Sequence, residues 1–258
     1  MLIRVMKLPD EVRLGYDLSS LQCLLHAAAP CPIEVKYQVI EWLGPIVSEF
    51  YAGTETSGMT FLTAPEWLEH PGSVGKPVVG IPHVCGEDGQ ELPVGEAGDL
   101  YFERHDASFE YHGDPEKTRK SRHPEHSSWS TLGDVGYLDD DGYLYLTDRR
   151  GFTIISGGVN IYPAEIESCL VMHAAVADIA VFGLPDPEMG EYVHAVVQLA
   201  EGSSGTPELA EELQEYARAR LAGFKVPRAI DFRPELPRLP TGKLAKRRLR
   251  DEYSGMGA

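Results

Sequence analysis

Residues 130–149 read STLGDVGYLDDDGYLYLTDR, and residues 151–171 continue as GFTIISGGVNIYPAEIESCLV. In the first stretch Asp141-Gly142 separates YLDD from YLYL. Asp-Gly between two runs rich in β-forming residues is a hairpin signal, because tight hairpin turns need residues that accept positive φ. The hairpin predicts a small antiparallel sheet or barrel. The Gly-, Pro- and Asp-broken strands VGKPVVG and DGQELPVGEAGDLYF extend it back to about Gly75. In the second stretch an apolar strand runs into Gly157-Gly158, and a helix is predicted from Pro163, with Glu165 and Glu167 at its positive end. The texture changes near Arg149, and a second unit is expected after it.

Working outward, residues 1–75 mix a helical stretch at Ile33 to Leu43 with extended apolar pieces at Leu21 to Leu25 and Ile46 to Phe50, which is α/β character. Tyr51 to Gly58, YAGTETSG, falls at a predicted strand end, where ligand loops of α/β folds are frequent. Asp106 to Ser128 is polar and reads as a long surface loop or a short helix with irregular flanks. Downstream, VADIAVFGLPD and YVHAVVQLA read as strands, and PELAEELQEYARARLAGF as an amphipathic helix. A strand, a Pro-punctuated loop and a basic helix complete a β-α-β-β-α-β order, a compact α+β domain. The expected division is 1–149, made of an α/β piece (1–75) and a β-rich piece (76–149), followed by 150–258.

The chain has 258 residues, 43% hydrophobic, with a formal net charge of -17, enough apolar material for a substantial core. The acidic balance disfavours nonspecific attraction to nucleic acid or an anionic membrane. The four cysteines, Cys23, Cys31, Cys85 and Cys169, form neither a CxxC pair nor a disulfide framework, and reduced thiols in the cytoplasm are expected. Neither a signal peptide nor an apolar run of membrane-spanning length is read.

Several residues carry chemistry beside a plainer alternative. Lys243, in LPTGKLAKRRL, is a single ammonium ahead of a helix that could stabilise charge in acyl or phosphoryl transfer, or be an ordinary surface lysine. Lys246, Arg247, Arg248 and Arg250 could meet phosphates or form a solvated face. Gly157 and Gly158 could let backbone approach a ligand or simply turn the chain. Glu55, between two threonines, suits a Mg²⁺ carrying a nucleotide phosphate, or is a solvated carboxylate. Asp134 could accept from a ribose diol with Arg149 nearby, or both could belong to an internal salt bridge. His105, His112, His123 and His126 match no zinc pattern and read as surface-loop residues. GxGxxG, GxxxxGK[ST] and GxSxG are absent, which removes dinucleotide fingerprints, P-loop ATPases and serine hydrolases.

Taken in order, YAGTE, STLGDVGYLDDDGYLYLTDR, FTIISGGVNIYPAEIE, VADIAVFGLPDPEMGE and LPTGKLAKRRL resemble the carboxyl half of acyl-CoA synthetases of the adenylate-forming superfamily. The resemblance spans nearly the whole chain. It implies a two-step ligase: a carboxylate attacks the α-phosphate of ATP to give acyl-adenylate, then the thiol of coenzyme A takes the acyl group and AMP leaves. It further implies that Ala28 and Ala29 of HAAAP border the adenine, with Tyr51 alongside the base. Thr54 would contact phosphate, Glu55 would support Mg²⁺, Asp134 and Arg149 would hold the ribose, and Lys243 would stabilise the adenylation transition state. Residues 1–149 would be the carboxyl-terminal part of the large AMP-binding domain and 150–258 the mobile carboxyl-terminal domain, rotating about Gly151. Gly157 and Gly158 would then approach the pantetheine tunnel. The family's phosphate-binding loop precedes the first motif found here, so the chain is expected to be a truncated form. Self-association through the edge so exposed is a further expectation, as is a fatty or related hydrophobic acid as substrate. A non-catalytic nucleotide-binding module and a subunit of a split ligase are the alternatives.

Overall fold

In the computed structural model, residues 1–105, 109–149, 151–239 and 242–255 are described. They fall into two compact units, Met1–Arg150 and Gly151–Ala258. The first opens with two short helices, α1 (Leu2–Met6) and α2 (Asp10–Arg13). A four-stranded sheet follows, from β1 (Leu24–His26), β2 (Val47–Ala52), β3 (Met59–Thr63) and β4 (Lys76–Val79), in that spatial order. β1 runs parallel to β2, and the remaining pairs are antiparallel. The parallel step needs a crossover, which α3 (Ile33–Leu43) supplies. Its buried Val35, Val39 and Ile40 recur at helical spacing and face inward. Lys36 is buried as well, because its Nζ pairs with Glu49 of β2 at 2.5 Å. α4 (Ala64–Glu69) starts where the Thr63 N–H donates to the Glu66 carboxylate at 2.8 Å.

The β-rich remainder holds β5 (Ile81–Cys85), β6 (Gly98–Glu103), α5 (Pro115–Lys120), β7 (Trp129–Ser130), β8 (Asp134–Leu138) and β9 (Leu144–Arg149). Its sheet runs β5-β6-β8-β9 with β7 on β6, packed over Val84, Leu100, Phe102 and Leu144. The hairpin read at Asp141-Gly142 is β8–β9, with Asp139 accepting the backbone N–H groups of Asp141 and Tyr143. The barrel alternative is corrected. One edge of β6 is shared, Gly98-Asp99 pairing with β8 and Phe102-Glu103 with β7, and among the described residues β5 and β9 do not pair. Closure requires two neighbours for every strand, so this sheet stays open. Residues 106–108, part of the segment read as a polar loop, lie outside the described residues.

The second unit holds β10 (Ile154–Ser156), β11 (Val159–Ile161), α6 (Pro163–Leu170), β12 (Val176–Asp186), β13 (Gly190–Leu199), α7 (Pro207–Arg218), β14 (Ala229–Arg233) and α8 (Lys246–Gly255). β12 and β13 form a long antiparallel pair, with β14 parallel to β13. Their near-continuous burial follows from helices on both faces, with Ile166 and Leu170 of α6, Leu213 and Ala217 of α7, and Leu249 of α8 buried. The β-α-β-β-α-β order is corrected by one extra strand, β11, before α6; the basic helix read after the Pro-punctuated loop is α8. Gly157 (φ 57°) and Gly158 (φ 79°) are the two-residue turn of the β10–β11 hairpin, and the three-residue β11 is too short to show alternation in sequence.

Candidate functional site

Asp134 opens β8 and Arg149 closes β9, and the two are direct cross-strand partners. Partners of this kind share a sheet face, so Arg149 Nε donates to Asp134 Oδ1 at 2.8 Å. Tyr51, at the end of β2, reaches the same carboxylate from 83 residues away, its hydroxyl donating to Oδ2 at 2.5 Å. Asp134 is buried with both oxygens engaged, while Arg149 stays half-exposed. Burial, and then the Asp134 charge it bonds to, drive the Tyr51 phenol well above the ordinary tyrosine range, so it remains a donor at neutral pH. An acceptor, a cation and an aromatic face thus meet at one point.

The turn after β2 carries Thr54 and Glu55. A Cβ on Gly53 would lie 2.6 Å from Leu132 Cδ1 and 2.9 Å from Glu55 Oε2, so a glycine leaves the carboxylate its place. Thr54 Oγ1 donates to Glu55 Oε2 at 3.2 Å, and the Tyr111 hydroxyl donates to Oε1 at 3.0 Å. Thr56, at φ 56°, is held by Arg104, whose Nη1 donates to its carbonyl at 2.8 Å. Partial burial pushes the Glu55 carboxyl up. Its own backbone N–H, the Tyr111 and Thr54 hydroxyls and the Lys117 charge outweigh that and keep it below the ordinary carboxylate range. Among the described residues no three His, Cys, Asp or Glu side chains converge as a metal cage. Mg²⁺ bound with a nucleotide needs only one or two carboxylates beside phosphate oxygens, and an ionised Glu55 fits that demand.

Ala28 and Ala29 are exposed just beyond β1, with Ala28 in the left-handed region at φ 72°. Because β1 and β2 are parallel, this segment and Tyr51–Glu55 leave the same carboxyl end of the sheet. Beneath it His26 Nε2 lies 3.5 Å from Glu49, beside Lys36. Burial, then the Lys36 charge, push His26 down to about 4.

In the second unit Gly151 has φ 91° and its carbonyl accepts from Arg250 Nη1 at 2.8 Å. Lys243 is exposed; its carbonyl accepts from the Leu239 N–H at 2.8 Å, and among the described residues its ammonium has no ion-pair partner. Pro240 and Thr241 beside it lie outside the described residues. Of the basic patch, Lys246 pairs with Glu167 at 2.6 Å and Arg250 holds Gly151, while Arg247 and Arg248 are exposed, Arg248 lying 3.4 Å from Glu252.

Three site residues were missed in sequence. Tyr111, Arg104 and Lys117 lie in or beside the stretch read as a polar surface loop. The available signal was an aromatic just ahead of Asp114-Pro115, a helix start. His123 also departs from the surface reading: it is buried, its Nε2 2.9 Å from the Gly89 carbonyl. Leu62 of β3 is wholly buried in the core.

Residues 1–111 match the family described as AMP-binding enzyme, and residues 165–243 match the AMP-binding enzyme C-terminal domain. The chain is 37% identical over 239 residues to a long-chain-fatty-acid–CoA ligase of Bacillus subtilis, covering 92% of this chain and 42% of that protein. It is 36% identical over 231 residues to a 2-succinylbenzoate–CoA ligase of Bacillus licheniformis, covering 89% of this chain and 46% of that one. Its structure is similar to the amide bond synthetase McbA from Marinactinospora thermotolerans, with a TM-score of 0.82 at 30% identity, over 98% of this chain and 50% of the other. The chain therefore spans about half the length of the curated relatives it matches. With both family signatures in order and the fold shared, the chain belongs to the AMP-binding, acyl-adenylate-forming superfamily.

Proposed function

We propose that the chain carries the nucleotide-binding portion of an ATP-dependent acid–CoA ligase, which forms an acyl-adenylate and passes the acyl group to the thiol of coenzyme A. The observation that carries this is the convergence of Tyr51, Asp134 and Arg149 from three strands, beside a turn bearing Thr54 and an ionised Glu55. In this reading Tyr51 lies along the base at the segment Ala28–Ala29, and Asp134 accepts from the ribose hydroxyls while Arg149 pairs with it. Thr54 would contact phosphate. Glu55 would hold a nucleotide-borne Mg²⁺, which when bound supplies charge neutralisation at the phosphates. Lys243, whose ammonium has no ion-pair partner among the described residues, would stabilise the negative charge that grows on the α-phosphate as the carboxylate attacks. Gly151 would serve as the hinge, and Gly157-Gly158 would border the pantetheine arm.

A hydrophobic acid is the proposed substrate class, supported by the fatty-acid ligase among the relatives. Other relatives are named for other acids, among them 2-succinylbenzoate. The test is calorimetric titration of the chain with AMP, beside mass-spectrometric detection of acyl-CoA formed from ATP, Mg²⁺, coenzyme A and a panel of acids. AMP binding that is weakened by Asp134→Asn supports the reading. Acyl-CoA that disappears with Lys243→Ala supports the ligase assignment in full. A folded chain that binds no AMP, or binds it regardless of Asp134, refutes the assigned site.

A further inference from the structure

Glu55 is held from outside its own turn. Tyr111 lies 56 residues further along the chain, and its hydroxyl donates to Glu55 Oε1 at 3.0 Å. That hydroxyl is itself positioned by a built segment. The Tyr111 N–H donates to Thr118 Oγ1 at 2.8 Å, on α5, whose start is capped by Asp114 accepting from the Lys117 N–H at 2.9 Å. The Lys117 ammonium sits 3.7 Å from the centre of the Tyr111 ring, and two residues before Tyr111 the Phe109 ring packs edge-on to it under the Arg122 guanidinium. The ring is thus fixed on one side by a cation and on the other by an aromatic edge, and its hydroxyl has one direction in which to point.

The consequence is chemical. A carboxylate on an exposed turn rotates freely about its terminal torsion, and each rotamer presents a different oxygen. With Oε1 taken by Tyr111 and Oε2 by Thr54, the carboxylate plane is set and each oxygen keeps one further acceptor site. We propose that Tyr111 is a positioning residue for Glu55, orienting its carboxylate toward a cation carried on nucleotide phosphates, with α5 as the brace. The inference rests on the assignment of Glu55 made under Proposed function. Tyr51, Arg149 and Lys117 are the other charged or titratable groups that act on Glu55, and they are untouched by the substitution used to test it.

The experiment is titration calorimetry of the chain with ATP in the presence of Mg²⁺, with ATP in chelator, and with AMP in chelator, for the wild type, Tyr111→Phe and Glu55→Gln. Tyr111→Phe is expected to reduce the gain in ATP affinity that Mg²⁺ confers by at least about threefold, while AMP affinity stays within about twofold. Equal loss for all three ligands would mean general packing damage, and no loss would mean an idle contact; either overturns the proposal. If Glu55→Gln also keeps the full Mg²⁺ gain, or the wild type shows none, the assignment of Glu55 fails instead. The positioning is then decided by a second readout that needs no nucleotide, the order of the Glu55 side chain followed by NMR relaxation of its carbons at one pH. That order is expected to fall in Tyr111→Phe, and an unchanged order refutes the coupling.

Discussion

Removal of the Tyr51 hydroxyl tests the network on which the site is built. Tyr51→Phe deletes the donor to Asp134 Oδ2 and leaves Arg149 on Oδ1. Hydrogen bonds to an ionised group contribute roughly 1.5–3 kcal/mol, and because Tyr51 is half-buried rather than sealed, the expected loss is about 1–2 kcal/mol. Asp134→Ala strands two donors at a buried position and is expected to cost about 2–4 kcal/mol. The double variant should then be less damaging than the sum by about 1–2 kcal/mol, the coupling of one contact. Urea unfolding followed by tryptophan fluorescence is the assay, because Trp42, Trp67 and Trp129 all lie in Met1–Arg150 and report that unit alone. There is also a pH signature. The Tyr51 phenol is raised in the folded state by burial and by Asp134, so its share of stability is present below about pH 10 and falls as pH rises beyond it. Tyr51→Phe should blunt that alkaline fall. A coupling below about 0.5 kcal/mol, with an unchanged alkaline limb, would refute the network as a source of order.

Three further outcomes follow from other positions. His26, pushed down to about 4 by burial and then by Lys36, is neutral when folded, so its contribution is complete above about pH 6.5 and lost as pH falls toward 4. The full loss is at most about 3 kcal/mol, and His26→Gln should flatten the urea midpoint measured between about pH 4.5 and 7.5. Gly58→Ala places a Cβ 2.1 Å from the buried Phe102 ring and should lower stability by about 1–3 kcal/mol, read as a lower thermal midpoint. Gly158→Ala meets no atom within 4 Å, so only its φ of 79° opposes it, and a smaller loss of about 1–2 kcal/mol is expected by the same melt.

Much of the fold was legible from local pattern. The spacing of Val35, Val39 and Ile40, the Asp141-Gly142 turn and the acidic start of α6 each encode their element within a few residues, and each element formed. The reading failed where the deciding quantity was not local. A three-residue strand after Gly157-Gly158 carries too few side chains to show a period, and an open sheet differs from a barrel only in whether distant edges pair. The polar stretch around Tyr111 looked like solvent-facing loop because its partner, Glu55, lies 56 residues back.

The sequence by itself determined the types of the main elements and the chemistry that each side chain offers: an acid, a cation, a hydroxyl-bearing aromatic. Those properties follow from short-range sterics, hydrophobic periodicity and side-chain chemistry, which act within a few residues. Only the tertiary structure decided that Tyr51 and Arg149 share the Asp134 carboxylate, that Tyr111 bonds Glu55, and that Lys246 and Arg250 are engaged within their own unit while, among the described residues, Lys243 has no ion-pair partner. The physical reason is that a hydrogen bond or ion pair is set by distance in space. Which residues come within 3 Å of one another is fixed by strand pairing and core packing over the whole chain.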